Sequence, residues 1–196
     1  MEITDVYSET INLDKDTVLN YTLKTNAVAR LFFYDRAGVD VKINVDLEEN
    51  ASCEMYGLFH NKGRDPKVVT TVTHKGKKSK CDQDFRFVNK ECESSFEGKI
   101  TIPKGVTGCE SHMLNKNLLL DDDSFAFSKP ELDIKNDDTI CSHGATTGPL
   151  DQEQVFYLRS RGIPETKAIE ILVEAFYEDI KNRMEQPLIT ARSSVG

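Results

Sequence analysis

The chain has no tryptophan among its 196 residues, and its apolar runs are only a few residues long, such as Ile171-Leu172-Val173. A bilayer-spanning helix needs about 20 consecutive apolar residues, so none is expected. Residues 1–20 carry acids and no apolar core, which argues against a secretory signal peptide. The five cysteines (Cys53, Cys81, Cys92, Cys109 and Cys141) are odd in number and contain no Cys-x-x-Cys, unlike the dense, even framework of a small secreted domain. A reduced, cytoplasmic setting is the expectation. No Gly-x-x-x-x-Gly-Lys-Ser/Thr loop is present to cradle phosphates, so the chain is not expected to hydrolyse nucleotides itself, and there is no Gly-x-Ser-x-Gly elbow. Positive charge is also scarce. With 25 Lys and Arg against 33 Asp and Glu the formal charge is −8, which argues against nucleic acid or an anionic membrane as the main partner.

What the chain does contain is a folded composition, 38% hydrophobic and 30% charged. Up to about residue 148 a period of two dominates. Val39, Val41, Ile43, Val45 and Leu47 point one way while Asp40, Lys42, Asn44 and Asp46 point the other. Cys53-Met55-Gly57-Phe59, Val68-Thr70-Val72, Phe85-Phe87, Ile100-Ile102, Leu118-Leu120 and Leu132-Ile134 continue the habit between turns such as Asn61-Lys62-Gly63 and Pro103-Lys104-Gly105. Steps of 32 or 33 residues separate Val68 from Ile100, Phe85 from Leu118 and Ile100 from Leu132. Such a step predicts a flattened β-solenoid with two strands per coil; a β-sandwich is the competing reading.

After Gly148 the period becomes helical. Asp151 with Gln154 predicts a capping box, Arg159 and Arg161 fall in the last turn, Gly162 reads as a left-handed cap, and Pro164 as the first position of a second helix. Ile169, Leu172, Phe176 and Ile180 form the predicted apolar stripe of that helix, with Glu170, Glu174, Glu178 and Lys181 outward. The expected division is a β-helix core over 1–148, a helical region over 149–184 and a polar tail over 185–196.

Candidates for chemistry are few. Asp121-Asp122-Asp123 lacks the spacing of an oxygen-ligand loop and reads as a solvated turn. Cys141 and His143, two apart in the strand-like segment Thr139–Gly144, face the same way. A thiolate beside an imidazole can bind a soft metal or an iron–sulfur cluster or form an activated thiol; equally, the pair can be a small buried cysteine beside a hydrogen-bonded histidine. Cys53 is expected in the core. Cys81, Cys92 and Cys109 fall near strand ends and turns, where exposed thiols are possible. His60, His74 and His112 are isolated, and His74 extends the inward face of Val68–Val72.

Three ordered blocks carry a resemblance. They are Lys129-Pro130-Glu131-Leu132-Asp133-Ile134, Cys141-Ser142-His143-Gly144-Ala145-Thr146-Thr147-Gly148 and Phe156-Tyr157-Leu158-Arg159-Ser160-Arg161-Gly162-Ile163. Together they resemble the C-terminal signature of the SufB/SufD family of the SUF iron–sulfur cluster assembly system. The likeness extends upstream through Tyr56-Gly57-Leu58-Phe59, Thr71-Val72-Thr73-His74, Phe96-Glu97-Gly98-Lys99-Ile100 and Asn115-Lys116-Asn117-Leu118-Leu119-Leu120, covering roughly 39–182. It implies a right-handed parallel β-helix followed by a small helical region that docks a SufC-type ATPase, here through Phe156, Tyr157, Leu158, Arg159, Arg161 and Gly162. It also implies pairing through the β-helix with a SufB-like subunit or a second copy, at a seam where Cys141 and His143 are candidate ligands for transient iron or a nascent cluster. The turn Asp121-Asp122-Asp123-Ser124 has no cysteine where SufB-type chains carry one, and Ser142-His143-Gly144 and Leu158-Arg159-Ser160-Arg161 are closer to SufD. The leading expectation is thus a non-enzymatic SufD-like assembly component, shorter than its family. The rival is a metal-binding β-solenoid enzyme using Cys141 and His143; a carbohydrate-active β-helix fits poorly with the absence of Trp.

Overall fold

A computed structural model describes residues 1–188. Its strands alternate between two sheets. β1 (Glu2–Ile3), β3 (Thr17–Leu23), β5 (Val41–Leu47), β7 (Lys67–His74), β9 (Glu93–Ile102) and β11 (Phe125–Ile134) form one; β2 (Val6–Leu13), β4 (Val28–Asp35), β6 (Ser52–Lys62), β8 (Lys80–Lys90), β10 (Cys109–Leu119) and β12 (Thr139–Pro149) form the other. Neighbours within each sheet are parallel throughout, so each coil contributes one strand to each sheet. The fold is the expected parallel β-solenoid, followed by α1 (Gln152–Ser160) and α2 (Glu165–Glu185).

Register is fixed by burial, because a one-residue slip would turn every inward side chain outward. Thr17 lies beside Val41, Val68 beside Phe96 and Ile100 beside Leu132, so the step between coils grows from 24 to 28 to 32 positions. The constant step expected from the sequence is therefore corrected. Val68 pairs with Phe96 and Phe85 with Asn115; of the three expected steps only Ile100 to Leu132 joins true partners. Turns absorb the difference, since a coil needs matched strand registers and not matched turn lengths.

Between the sheets Phe33, Phe59, Phe85, Phe87 and Phe96 are buried and stack, with ring centroids of Phe59 and Phe87 4.8 Å apart and of Phe85 and Phe96 5.3 Å apart. Gly57 and Gly98 make room for them: a Cβ on Gly57 would strike the Phe85 ring and stand 2.7 Å from Phe59 Cε2, and one on Gly98 would strike the Met113 sulfur.

The helices cover the outer face of the second sheet. Asp151 caps α1, its carboxylate accepting from Glu153 N at 2.9 Å and Gln154 N at 3.3 Å. Gly162, at φ 87°, closes α1, with its N–H donating to Arg159 O and that of Ile163 to Leu158 O. Pro164 sits one position earlier than expected: its ψ of 146° makes it the cap preceding α2, not the first helical residue. The stripe of α2 is also rotated. Ala168, Val173, Tyr177 and Ile180 are buried, while Ile169, Leu172 and Phe176 flank them half-buried. Tyr177 takes the centre because its hydroxyl donates to Phe59 O at 3.1 Å inside the contact with Phe32, Tyr56, Leu58 and Val88. Leu118 and Leu120 face this layer and not the solenoid interior.

Two buried arginines fix α2 on the sheet. Arg30 donates from Nε to Glu54 at 2.6 Å and from Nη1 to the carbonyls of Arg183 and Gln186, at the C-terminal end of α2. Arg86 donates to Phe176 O and bridges Asp84 at 2.9 Å and Asp179 at 3.2 Å. Arg86→Ala strands Asp84 and a helix carbonyl, and should cost about 3 kcal/mol, with faster exchange of α2 amides than of sheet amides by hydrogen–deuterium exchange. Gly57→Ala should cost roughly 1–3 kcal/mol in a denaturant titration without moving the helices, because the added methyl overpacks the aromatic stack.

Candidate functional site

Among the described residues the last coil has no successor, and this creates the site. In β12 the even-numbered residues turn their backbone groups toward β10, as the bond from Leu150 N to Leu119 O marks. Those of Thr139, Cys141, His143, Ala145 and Thr147 therefore face outward along an open edge. In β11 the bonds Phe125 N to Cys92 O and Lys135 N to Ile102 O place the odd-numbered residues against β9, so Ala126, Ser128, Pro130, Leu132 and Ile134 face the open edge. Pro130 has no N–H to offer there.

Cys141 and His143 stand on this coil as expected, side by side on one face. Cys141 is in register with Ser111 and His143 with Met113, both of which point into the solenoid. With nothing stacked beyond them, Cys141 is only half-buried and His143 is exposed. Burial is the main cause holding the Cys141 thiol above its usual range, opposed by hydrogen bonding with Thr139 and the Ser111 backbone. The outer face of the same strand is tied by a 2.7 Å hydrogen bond between Ser142 Oγ and His112 Nδ1. Sequence reasoning missed this pair, although His112 and Ser142 stand one coil step apart in adjacent strands.

No other thiol is available in this way. Cys53, Cys81, Cys92 and Cys109 are all buried, which corrects the expectation of exposed thiols at Cys81, Cys92 and Cys109: their strand-end positions lie inside the corners of the coils. Cys53 and Cys81 are in-register neighbours. Cys109 Sγ lies 3.5 Å from Ser79 Oγ, which also contacts His74 Nδ1 at 2.7 Å and donates to Gly76 O. Ser124 is buried and donates to Asp121 at 2.7 Å, so Asp121 serves its own turn. Among the described residues no three His, Cys, Asp or Glu side chains converge to hold a metal ion. Cys141 and His143 therefore stand as a pair, without a third such side chain beside them among the described residues.

The expected docking residues lie elsewhere, on α1 and its exit. Phe156 and Tyr157 are 71% and 58% exposed. Leu158 is half-buried and packs against Leu150, Val155 and Ala168. Arg159 pairs with Glu165 at 3.0 Å, and the Arg161 guanidinium sits 5.3 Å from the Tyr157 ring centroid. No helix among the described residues is long and apolar enough to cross a membrane.

A parallel β-solenoid with an open terminal coil and a helical hairpin on one sheet is the class of scaffold these features define. The chain belongs to the SufBD core-domain family of the SUF iron–sulfur cluster assembly system, whose description matches residues 24–176. Similar curated proteins include an iron–sulfur cluster assembly SufBD family protein of Synechocystis, 37% identical over 97 residues (50% of this chain, 21% of the relative). Iron–sulfur cluster assembly protein SufD of Escherichia coli is 41% identical over 85 residues (43% and 20%). A SufBD family protein of Mycobacterium bovis is 38% identical over 103 residues (52% and 26%). The aligned segments thus span about a fifth to a quarter of these relatives.

Away from Cys141 and His143, the buried imidazole of His74 gives the fold a pH signature. Burial pushes His74 down to about 4, and Nε2 has no partner. An unfolded chain takes up this proton near pH 6.5, whereas the folded one refuses it until about 4. This group therefore leaves stability undiminished above 6.5 and lowers it by about 3 kcal/mol as the pH falls to 4. Urea titrations at pH 7 and 4.5 should show His74→Leu losing markedly less stability than the parent between the two; equal losses would assign the slope to other groups.

Proposed function

We propose that the chain is a SufD-like, non-enzymatic component of an iron–sulfur cluster assembly scaffold. The observation that carries this is the standing of Cys141 and His143 together on the uncovered face of the last coil, in a chain whose residues 24–176 match the SufBD core. Iron and the nascent cluster are cargo on this reading. Cluster iron accepts thiolate and imidazole ligands. Burial raises the Cys141 thiol above its ordinary range, so metal binding there displaces a proton. The remaining ligands come from the partner across the open edge, a SufB-like subunit or a second copy.

The helical region, residues 149–184, is the docking element for a SufC-type ATPase. Exposed aromatics beside an arginine are the composition of an interface anchor, and Phe156, Tyr157 and Arg161 supply it on a helix whose end is fixed by the Gly162 cap. Rigid docking of α2 through Arg30 and Arg86 would carry ATPase motion to the solenoid as a body.

An anaerobic pull-down of the tagged chain with its host's SufB-like and SufC-like proteins tests both halves. His143→Ala should leave the complex intact and lower its iron and sulfide at least by the roughly tenfold that loss of even an outer-shell partner costs a metal site. Phe156→Ala should release the ATPase while keeping iron. Unchanged iron in the first variant would reduce Cys141 and His143 to packing, and failure of the parent chain to recover an ATPase would overturn the assembly reading.

A further inference from the structure

Far from the last coil's open edge, a groove of about 1060 Å³ runs between one flank of α2 and the outer face of the second sheet. Its floor is apolar. Ile169, Val173 and Tyr177 line it from α2, and Leu120 from the end of β10. Tyr34 of β4 and His60 of β6, both half-buried, close it from the sheet. A cavity of this size with an apolar floor and a few polar groups at its mouth has the make-up of a small-molecule site.

The two rims differ in charge. On the helix side Glu170 is paired with Lys167 at 2.9 Å and Glu174 with Lys181, while Glu178 stands on the same rim without a cation. On the sheet side Arg36 and Lys62 are exposed, and neither has a carboxylate partner among the described residues. Arg36 is held in place by the Tyr34 ring, its guanidinium 5.3 Å from the ring centroid. Lys90, in register with Lys62, adds a further positive charge along that corner. Cations are the scarce sign in a chain of net charge −8, and here they stand free beside uncovered apolar surface.

These features select the chemistry of the occupant. A bare inorganic anion would use the cations and leave the floor wet. A neutral apolar body would cover the floor and leave the cations unused. A second acid group at the far end would meet the glutamate rim. What suits both rims and the floor is an apolar body with one acid group, set toward the sheet where charge-assisted donors await it.

We propose that this groove binds a small amphipathic acid, its acyl or aryl body on Val173 and Tyr177 and its anionic group on Arg36 and Lys62. The proposal goes beyond the assembly reading and does not depend on it.

His60 reports on occupancy. The charges facing it are Arg36 from the turn after β4 and Glu174 from α2, with Lys62 on its own strand. Burial first, and Arg36 second, hold its imidazole below the ordinary value, opposed by Glu174. An acid seated on Arg36 offsets the guanidinium's push, so the imidazole titrates at higher pH when the groove is filled.

The test uses 1-anilinonaphthalene-8-sulfonate, an aryl acid whose fluorescence rises in apolar surroundings, titrated into the full chain. It should bind saturably at one site and be displaced by decanoate well before decanol. Arg36→Gln with Lys62→Gln should weaken dye and decanoate about tenfold or more, the loss expected for charge-assisted contacts. Ala175→Trp, at an exposed helix position lining the groove, should block both by filling the space. Proton NMR should show His60 titrating higher with decanoate present. Dye binding that is absent or unsaturable, or that survives both variants, would overturn the site. Displacement by decanol as readily as by decanoate, or a His60 titration that stays put or falls, would overturn the role of the cations. ATPase and iron recovery in the pull-down are unaffected by either result, so the two readings fail separately.

Discussion

In a parallel solenoid each strand's backbone is satisfied by the coil before it and the coil after it, and by nothing else. Everything at the C-terminal end follows from this. The interior stacks Phe59 on Phe87 because successive coils repeat the same inward position, and Phe96 of β9 meets Phe85 of β8 from across the interior. The terminal coil inherits those inward positions without a successor, so it must expose both a hydrogen-bonding edge and side chains of core orientation. Long exposed edges are normally blunted by proline, charge or shortness. Here β11 carries Pro130, whereas β12 runs for 11 residues with its proline only at its end. The asymmetry leaves β12 as the edge with continuous pairing capacity.

The helical pair is held by a different kind of contact. The apolar layer of Val173, Tyr177 and Ile180 on Phe32, Tyr56 and Val88 supplies area, but apolar contact alone tolerates sliding. Arg30 and Arg86 remove that freedom. Each guanidinium pairs with one carboxylate on the sheet, Glu54 for Arg30 and Asp84 for Arg86, and aims a donor at a main-chain carbonyl of α2 or its exit: Phe176 for Arg86, and Arg183 and Gln186 for Arg30. The carbonyls of Arg183 and Gln186 take the Arg30 donor well because the helix dipole is negative at its C-terminal end. Burying these charges costs desolvation that well-packed apolar residues would avoid, so the gain is in orientation more than in stability.

Much of this was legible in the sequence, for physical reasons that differ by element. Strands β5, β7 and β9 alternate cleanly because neighbouring coils cover their inner face while their outer positions are left uncovered; β6 and β8 lose the alternation where the helices bury their outer face. The caps of α1 were legible because Asp151 and Gly162 act through local chemistry alone. The phase of α2 was not, since Tyr177 reads as amphipathic and earns its buried place only through a carbonyl 118 positions away. The coil step misled for a similar reason: turn length varies freely while register is set by burial. Arg30 and Arg86 read as ordinary surface cations, and nothing local marks a guanidinium whose partners are carbonyls of a distant helix.

Placement of the two candidate ligands was legible, but their availability was not, because availability is decided by coverage. Ser111 and Cys141 occupy one column of the ladder, and Met113 and His143 the next. Ser111 and Met113 are buried, while the residues one coil later are half-buried and exposed. Cys109 and Cys141, both inward-facing, differ in the same way. Moving either residue one coil earlier would turn a candidate ligand into a core side chain without changing its strand, its face or its local sequence. The availability of these two side chains is thus a property of where the described solenoid stops.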